Sequence, residues 1–193
     1  ESDNLAVRGV VMTRLSERRH LVVSAIEHQA VLHTAQHLAK RGCRVDLVPA
    51  GADGVVDLDS LKKAVGPETA LVSLIHVNNE TGMIQPVEEA ARIARSKGAY
   101  FHCDAVQSFG KLDVRPEEQG FDLVSLSAHK ICGPKGVGAL YIRKGVKLKA
   151  QTHGGHQEKN IRPGTENVPA IVGFGKAVEL AQQLQHADFE RVR

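Results

Sequence analysis

Along most of this chain, short β-branched or apolar runs alternate with longer stretches of helical period, and that alternation limits the fold more than any other feature. Parallel strands need long crossovers, which a helix fills. The pattern therefore predicts an α/β domain made of βαβ units, with a mainly parallel sheet covered by helices. The predicted strands are Leu21 to Ser24, Arg44 to Val48, Leu71 to Val77, Tyr100 to Cys103, Leu123 to Leu126 and Ala139 to Ile142. The predicted helices are His28 to Lys40, Leu58 to Val65, Val87 to Lys97 and a short one at Val106 to Gly110, with Gly42, Gly54, Gly66 and Gly98 as C-caps or turns. Gln151 to Gly164 has no apolar period and reads as a surface loop. With 193 residues, no internal repeat and no low-complexity linker, one domain is the expectation.

The two ends carry a further message. Ser2, Asp3 and Asn4 are good N-cap residues and stand directly before the periodic apolar positions Leu5, Val7, Val10 and Val11. Val168 to Arg193 reads as a helix with no Gly or Pro to end it. Both features suggest a portion of a longer protein.

Composition removes several function classes. Hydrophobic residues make up 42% and charged residues 24%, which fits neither a disordered nor a fibrous chain. Lys and Arg number 25 against 22 Asp and Glu, and a net charge of +3 is no footprint for a nucleic-acid or membrane-surface partner. No apolar run reaches the roughly 18 to 20 residues of a membrane span, and the start ESDNLAVRGV has no signal-peptide character. Cys43, Cys103 and Cys132 are odd in number and lack paired metal spacing, which argues against a disulfide framework and a structural zinc site. Reduced thiols in the cytoplasm are the expectation.

In open α/β sheets ligands bind outside the carboxyl ends of the strands. Four predicted strands end on polar clusters: Glu27-His28, Asn78-Asn79-Glu80-Thr81-Gly82, Asp104-Ala105-Val106-Gln107, and Ser127-Ala128-His129-Lys130. One such ending would be ordinary turn chemistry. Four together suggest one ligand. An amine (Lys130), a carboxylate (Asp104), two imidazoles (His28, His129) and small donors (Ser127, Asn79, Gln107) suit pyridoxal phosphate: the amine for the aldehyde, the carboxylate to keep the pyridine nitrogen protonated, hydroxyl and imidazole for the phosphate.

The stretches HVNNETG (His76 to Gly82), FHCDAVQSFGK (Phe101 to Lys111), SLSAHKICGPKGVGALYIR (Ser125 to Arg143) and RPGTEN (Arg162 to Asn167) resemble the cysteine desulfurase family, the NifS/IscS-like branch of the class V aminotransferases. The resemblance implies a three-layer α/β/α sandwich, the aspartate-aminotransferase-like large domain of pyridoxal-phosphate-dependent transferases. It also implies a homodimer that takes sulfur from L-cysteine, leaving alanine and an enzyme persulfide, for sulfur-acceptor proteins or Fe–S scaffolds. By position, Lys130 matches the lysine that binds the cofactor aldehyde, and Asp104 matches the partner of the ring nitrogen. His28 matches the imidazole stacked on the ring, where it helps to move protons. Gln107 and Asn79 match groups near the ring's phenolic oxygen, Ser127 and His129 match phosphate ligands, and Thr165 matches a residue lent across the dimer to the neighbour's phosphate. The family's further phosphate-binding threonine would precede Glu1. Its small domain, with the persulfide cysteine and a carboxylate-binding arginine, would follow Arg193, so none of the three cysteines is given the persulfide role.

Plainer readings stand beside these. Lys130 alone could be a solvated helix-start lysine, Asp104 the N-cap of a helix opening at Ala105, and His28 a satisfied histidine at a helix start. His33 and His37 have i, i+4 spacing but no Glu after the first and no third ligand nearby, so they are not taken as a metal pair. His153 and His156 fit a loop hinge or an interface better than a metal. Gly133, Gly136 and Gly138 precede a strand, as in a tight turn and unlike a dinucleotide loop. Selenocysteine lyase, cysteine sulfinate desulfinase and a non-catalytic sulfur-relay scaffold are the rival functions.

Overall fold

The computed structural model describes residues 1–14 and 16–192, and of residues 184–192 the backbone alone. In chain order the elements are α1 (Ser2–Arg14), β1 (His20–Ser24), α2 (Gln29–Ala39), β2 (Arg44–Val48), α3 (Leu58–Ala64), β3 (Thr69–Ile75), α4 (Val87–Ser96), β4 (Tyr100–Asp104), α5 (Pro116–Gln119) and β5 (Leu123–Ser127). A 3-10 turn at Ala128–Ile131, β6 (Gly138–Ile142), α6 (Gln157–Asn160) and α7 (Val168–Val192) complete the chain.

The sheet runs β2-β1-β3-β4-β5-β6. Its first five strands are parallel, and β6 returns antiparallel to β5. Every residue of β1 and β3 is buried, which is why these strands read as unbroken apolar runs and not as alternation: both faces are covered. The outer strand β2 carries Arg44 and Asp46 in an exposed ion pair, a charged edge that discourages further strand pairing. On one face Val22, Val72, Leu74, Phe101 and Phe121 pack with Val87, Ala90, Ala91 and Ala94 of α4. On the other, Leu21, Val23, Leu71 and Leu123 pack with Val7, Val10 and Val11 of α1 and Val31 and Ala35 of α2. These are the three layers expected. Each fully buried side chain of this size contributes about 1.5–3 kcal/mol.

Local expectations are adjusted at several places. The amide of Leu5 donates to the Glu1 carbonyl at 2.9 Å, so the first helical bond begins at Glu1 and Ser2, Asp3 and Asn4 lie inside α1. β3 is shifted toward the amino end of Leu71 to Val77, because its pairing with β4 stops at Ile75 opposite Asp104 and Val77 turns to bridge Ile84. No helix forms at Val106 to Gly110. There the amides of Ser108 and Phe109 both donate to the Ala105 carbonyl, and Gly110 at φ 76° lets the chain double back to the Phe109–Leu112 bridge. Gly66 is not left-handed, whereas Gly42, Gly54 and Gly98 are. The loop from Gln151 to Gly164 holds one short irregular turn, α6, in which Glu158, Lys159 and Asn160 are all left-handed.

Candidate active site

Because β1, β3, β4 and β5 are adjacent and parallel, their carboxyl ends lie side by side on one edge of the sheet. That brings His28 (after β1), Asn79 (after β3), Asp104 and Gln107 (at and after β4) and Ser127, His129 and Lys130 (at and after β5) to a common edge. Thr165 stands exposed beyond the loop and has no hydrogen bond to any of them.

Each residue is held by local geometry. His28 caps α2: its Nδ1 accepts the Ala30 amide at 3.2 Å, so the plain cap reading is correct, and Nε2 is left for other use. Asn79 is exposed in the turn after β3. Its neighbour Asn78 holds that turn in place, donating to the Ile26 carbonyl at 2.8 Å and accepting the amides of Glu80 and Thr81. Ser127 Oγ and His129 Nδ1 are 2.7 Å apart, a paired hydroxyl and imidazole beside the exposed Lys130. Gln107 is half-buried, and its carbonyl accepts the Lys111 ammonium at 3.0 Å. Burial and the nearby Lys130 charge lower the Lys111 pKa, against an opposing pull from Cys132. Cys132 is exposed, in the left-handed region at φ 61°, while Cys43 and Cys103 are buried.

Asp104 differs from the rest. It is 3% exposed, and its Oδ1 accepts the Val106 amide at 3.0 Å in a turn, without the helix expected after it. Burial, and then the neighbouring carboxyl of Asp3, push its pKa up to about 7 against the pull of that amide. Among the described residues no basic side chain acts on it. Glu27, also buried, accepts from Ser24 Oγ at 2.7 Å and from the Ile75 amide at 2.6 Å, tying the end of β1 to β3. Burial drives Glu27 to about 8; its two hydrogen bonds oppose this, and Asp104 and Asp3 add to it. Two positions inward of Asp104 on the same face, His102 is clamped between Ser73 Oγ and Ser125 Oγ, both at 2.9 Å. Burial lowers His102 to about 4, against the opposing charge of Asp3.

Sequence reasoning passed over this buried layer of Asp3, Glu27 and His102. The i, i+2 spacing of His102 and Asp104 in one strand was the available signal, since it places both on one face. A groove of about 430 Å³ lies beside α1, lined by Glu1, Asn4, Arg8, Gln151 and Arg162 among others, and none of the candidate residues lines it. Among the described residues no group of three or more His, Cys, Asp or Glu is placed to hold a metal; His33 and His37 are both exposed on α2. No described helix is long and apolar enough to cross a membrane.

Residues 1–192 match the profile of the class-V aminotransferase family. The chain is 48% identical over 192 residues to a cysteine desulfurase IscS of Dictyoglomus turgidum, covering all of this chain and 49% of that protein. Identity to a cysteine desulfurase IscS of an Anaeromyxobacter species is 51% over 194 residues, again covering all of this chain and 48% of the relative. Among solved structures, a NifS-like protein superposes with a TM-score of 0.93 at 44% identity over 96% of this chain and 52% of its own. SspA in complex with cysteine superposes with a TM-score of 0.87 at 44% identity over 92% of this chain and 52% of its own. The chain thus spans about half the length of the relatives it matches. The sheet and its helices have the aspartate-aminotransferase-like fold of those neighbours.

Proposed function

Because this chain belongs to the class-V aminotransferase family, we propose that residues 1–193 act as the pyridoxal-phosphate-binding large domain of a cysteine desulfurase, which converts L-cysteine to L-alanine and passes the sulfur to an enzyme persulfide. The observation that carries the reading is Asp104: a buried carboxyl at the edge where four strand ends meet, with other carboxyls near it and no basic side chain acting on it among the described residues. That environment fits the protonated nitrogen of a pyridine ring, which would bring a positive charge to the buried Asp104 carboxyl itself.

In this reading Asp104 holds the ring nitrogen, Lys130 the aldehyde, and the Ser127–His129 pair the phosphate. Asn79 and Gln107 would serve the phenolic oxygen, and His28 would serve the ring. When bound, the cofactor supplies an electron sink for the substrate's α-carbon. Lys130 and His28 are the bases that remove and return the proton at that carbon, and the carboxylate of Asp104 keeps the ring nitrogen charged meanwhile. Thr165 serves the partner subunit's phosphate in a homodimer, and sulfur acceptors or Fe–S scaffold proteins take the product. A cytoplasmic setting suits the three unpaired thiols. The relatives named cysteine desulfurase and the cysteine bound to SspA support cysteine as substrate.

The test is cofactor capture by the full chain. Borohydride reduction should fix pyridoxal phosphate to a peptide containing Lys130, and Lys130→Ala should abolish the fixation with the far-ultraviolet circular dichroism unchanged. Capture that persists in this variant overturns the assignment of Lys130. Turnover of cysteine, selenocysteine and cysteine sulfinate side by side then selects among the desulfurase and its two enzymatic rivals. A chain that captures no cofactor is the scaffold.

A further inference from the structure

Asp3 occupies an unusual place for a carboxylate. It lies in the first turn of α1, is 7% exposed, and its Oδ1 has no hydrogen-bond partner. That oxygen lies 3.7 Å from His102 Nε2. That imidazole gives it no counter-charge: both ring nitrogens are engaged by Ser73 and Ser125, and burial keeps the ring neutral down to about pH 4. The N-terminal end of α1 favours a negative charge at Asp3, but no hydrogen bond to Oδ1 balances it at close range. Its field therefore falls on the next carboxyl of the same layer, Asp104.

We propose that Asp3 is a positioning residue for the site: from α1 it sets the charge that Asp104 presents, and through Asp104 it holds the proton on the ring nitrogen that Asp104 would bind. The second half of this inference rests on the cofactor reading above; the first half does not. The chemistry follows from sign alone. A negative neighbour makes a carboxyl hold its proton more tightly, and it does the same for a ring N–H⁺ paired with that carboxyl. Asp3 thus acts as a second, more distant counter-charge to the ring. The titratable groups coupled to Asp104 are Asp3 from α1, Glu27 from the segment after β1, and Cys103, its neighbour on β4, whose side chain points to the opposite face of the sheet. His102, also on β4, faces Asp3. The ladder neighbours Ile75 of β3 and Ser125 of β5 carry no charge.

The experiment follows the carboxyl carbons of ¹³C-aspartate in the full chain without cofactor, with Asp104→Asn used to assign the Asp104 signal. In Asp3→Asn, which keeps side-chain shape and removes the charge, the Asp104 midpoint should fall by roughly one unit or more, a tenfold loss of proton affinity per unit. Asp3→Glu should restore most of it. A helix-stabilising role for Asp3 would change thermal stability without moving that midpoint. An Asp104 midpoint unmoved in folded Asp3→Asn overturns the proposal. If Asp3→Asn does not fold, Asp3→Ser takes its place, and an Asp104 midpoint unmoved in that folded variant overturns the proposal. With pyridoxal phosphate labelled with ¹⁵N in the ring, the bound nitrogen should lose its proton at lower pH in Asp3→Asn than in wild type. A labelled cofactor that does not bind defeats the cofactor reading, while the carboxyl titration still decides the coupling of Asp3 to Asp104.

Discussion

Glu27→Gln should invert its effect on stability between acid and alkaline pH. Glu27 is buried, with Oε1 accepting from Ser24 and the Ile75 amide and Oε2 without a partner. Its pKa in the fold is pushed from 4.5 to about 8. A folded-state value above the unfolded one means that the native protein binds the extra proton between these limits. The favourable contribution is complete below about pH 4.5 and is lost as pH rises toward 8. At ~1.4 kcal/mol per unit, a shift of this size is an upper bound on the order of 5 kcal/mol. Gln keeps the acceptor at Oε1 and does not titrate. Its amide nitrogen takes the place of the unpartnered Oε2, which costs about 1–3 kcal/mol at any pH. The variant should therefore be less stable than wild type at pH 4 by about that amount, and more stable at pH 8.5 by on the order of 2 kcal/mol or more. Urea unfolding at several pH values, followed by circular dichroism and checked for constant slope, measures both limbs. Two curves that stay parallel, with Gln the weaker throughout, would refute the raised proton affinity of Glu27.

Two further substitutions address the same layer. Asp104→Asn should still allow borohydride capture of pyridoxal phosphate on Lys130, while exchange of the α-proton of bound alanine falls by about two orders of magnitude or more, because a neutral amide does not keep the ring protonated; exchange at the wild-type rate would leave Asp104 only its turn with Val106. His102→Asn should flatten the acid limb of stability. Burial lowers His102 from 6.5 to about 4, so its contribution is complete above pH 6.5 and is lost as pH falls toward 4; an acid limb unchanged in the variant, measured by the same urea series, would show that another group causes it.

Much of this architecture is legible in the sequence because two periodicities compete there. Runs such as LVVS and LVSLI are too apolar on both faces for a half-exposed sheet, and they alternate with the helical period of segments such as Val87 to Lys97, where Val87, Ala90, Ala91 and Ala94 mark one buried face. The strand ends are legible for the same reason, since the apolar run stops where polar residues begin. Strand order is not. Nothing local says that β1 lies between β2 and β3, yet that order sets the strand ends carrying His28, Asn79, Asp104 and Lys130 side by side. Short-range patterns also mislead at Val106 to Gly110, where the Asp104 side chain captures the Val106 amide and the turn closes on Ala105. Asp3 reads as a cap because Asp commonly is one. Only the packing of α1 across β4 turns it into a buried charge beside His102.

The layer under Asp104 also explains why such a site should select its ligand by charge. Three buried carboxyls, Asp3, Glu27 and Asp104, and a neutral imidazole share the space between α1 and the strand ends, with none of the described basic side chains acting on Asp104. Packing such a layer costs stability, which the apolar faces of the sheet must offset. A ligand that brings its own proton on a ring nitrogen gives back part of that cost on binding, whereas an isosteric ring without a basic nitrogen buries the same surface and gains nothing from Asp104. Binding to the folded state alone then stabilises the fold by mass action. Cofactor affinity, ring protonation and fold stability are thus linked through the same carboxyls: a substitution that relieves their repulsion strengthens the empty fold and weakens the hold on the charged ring.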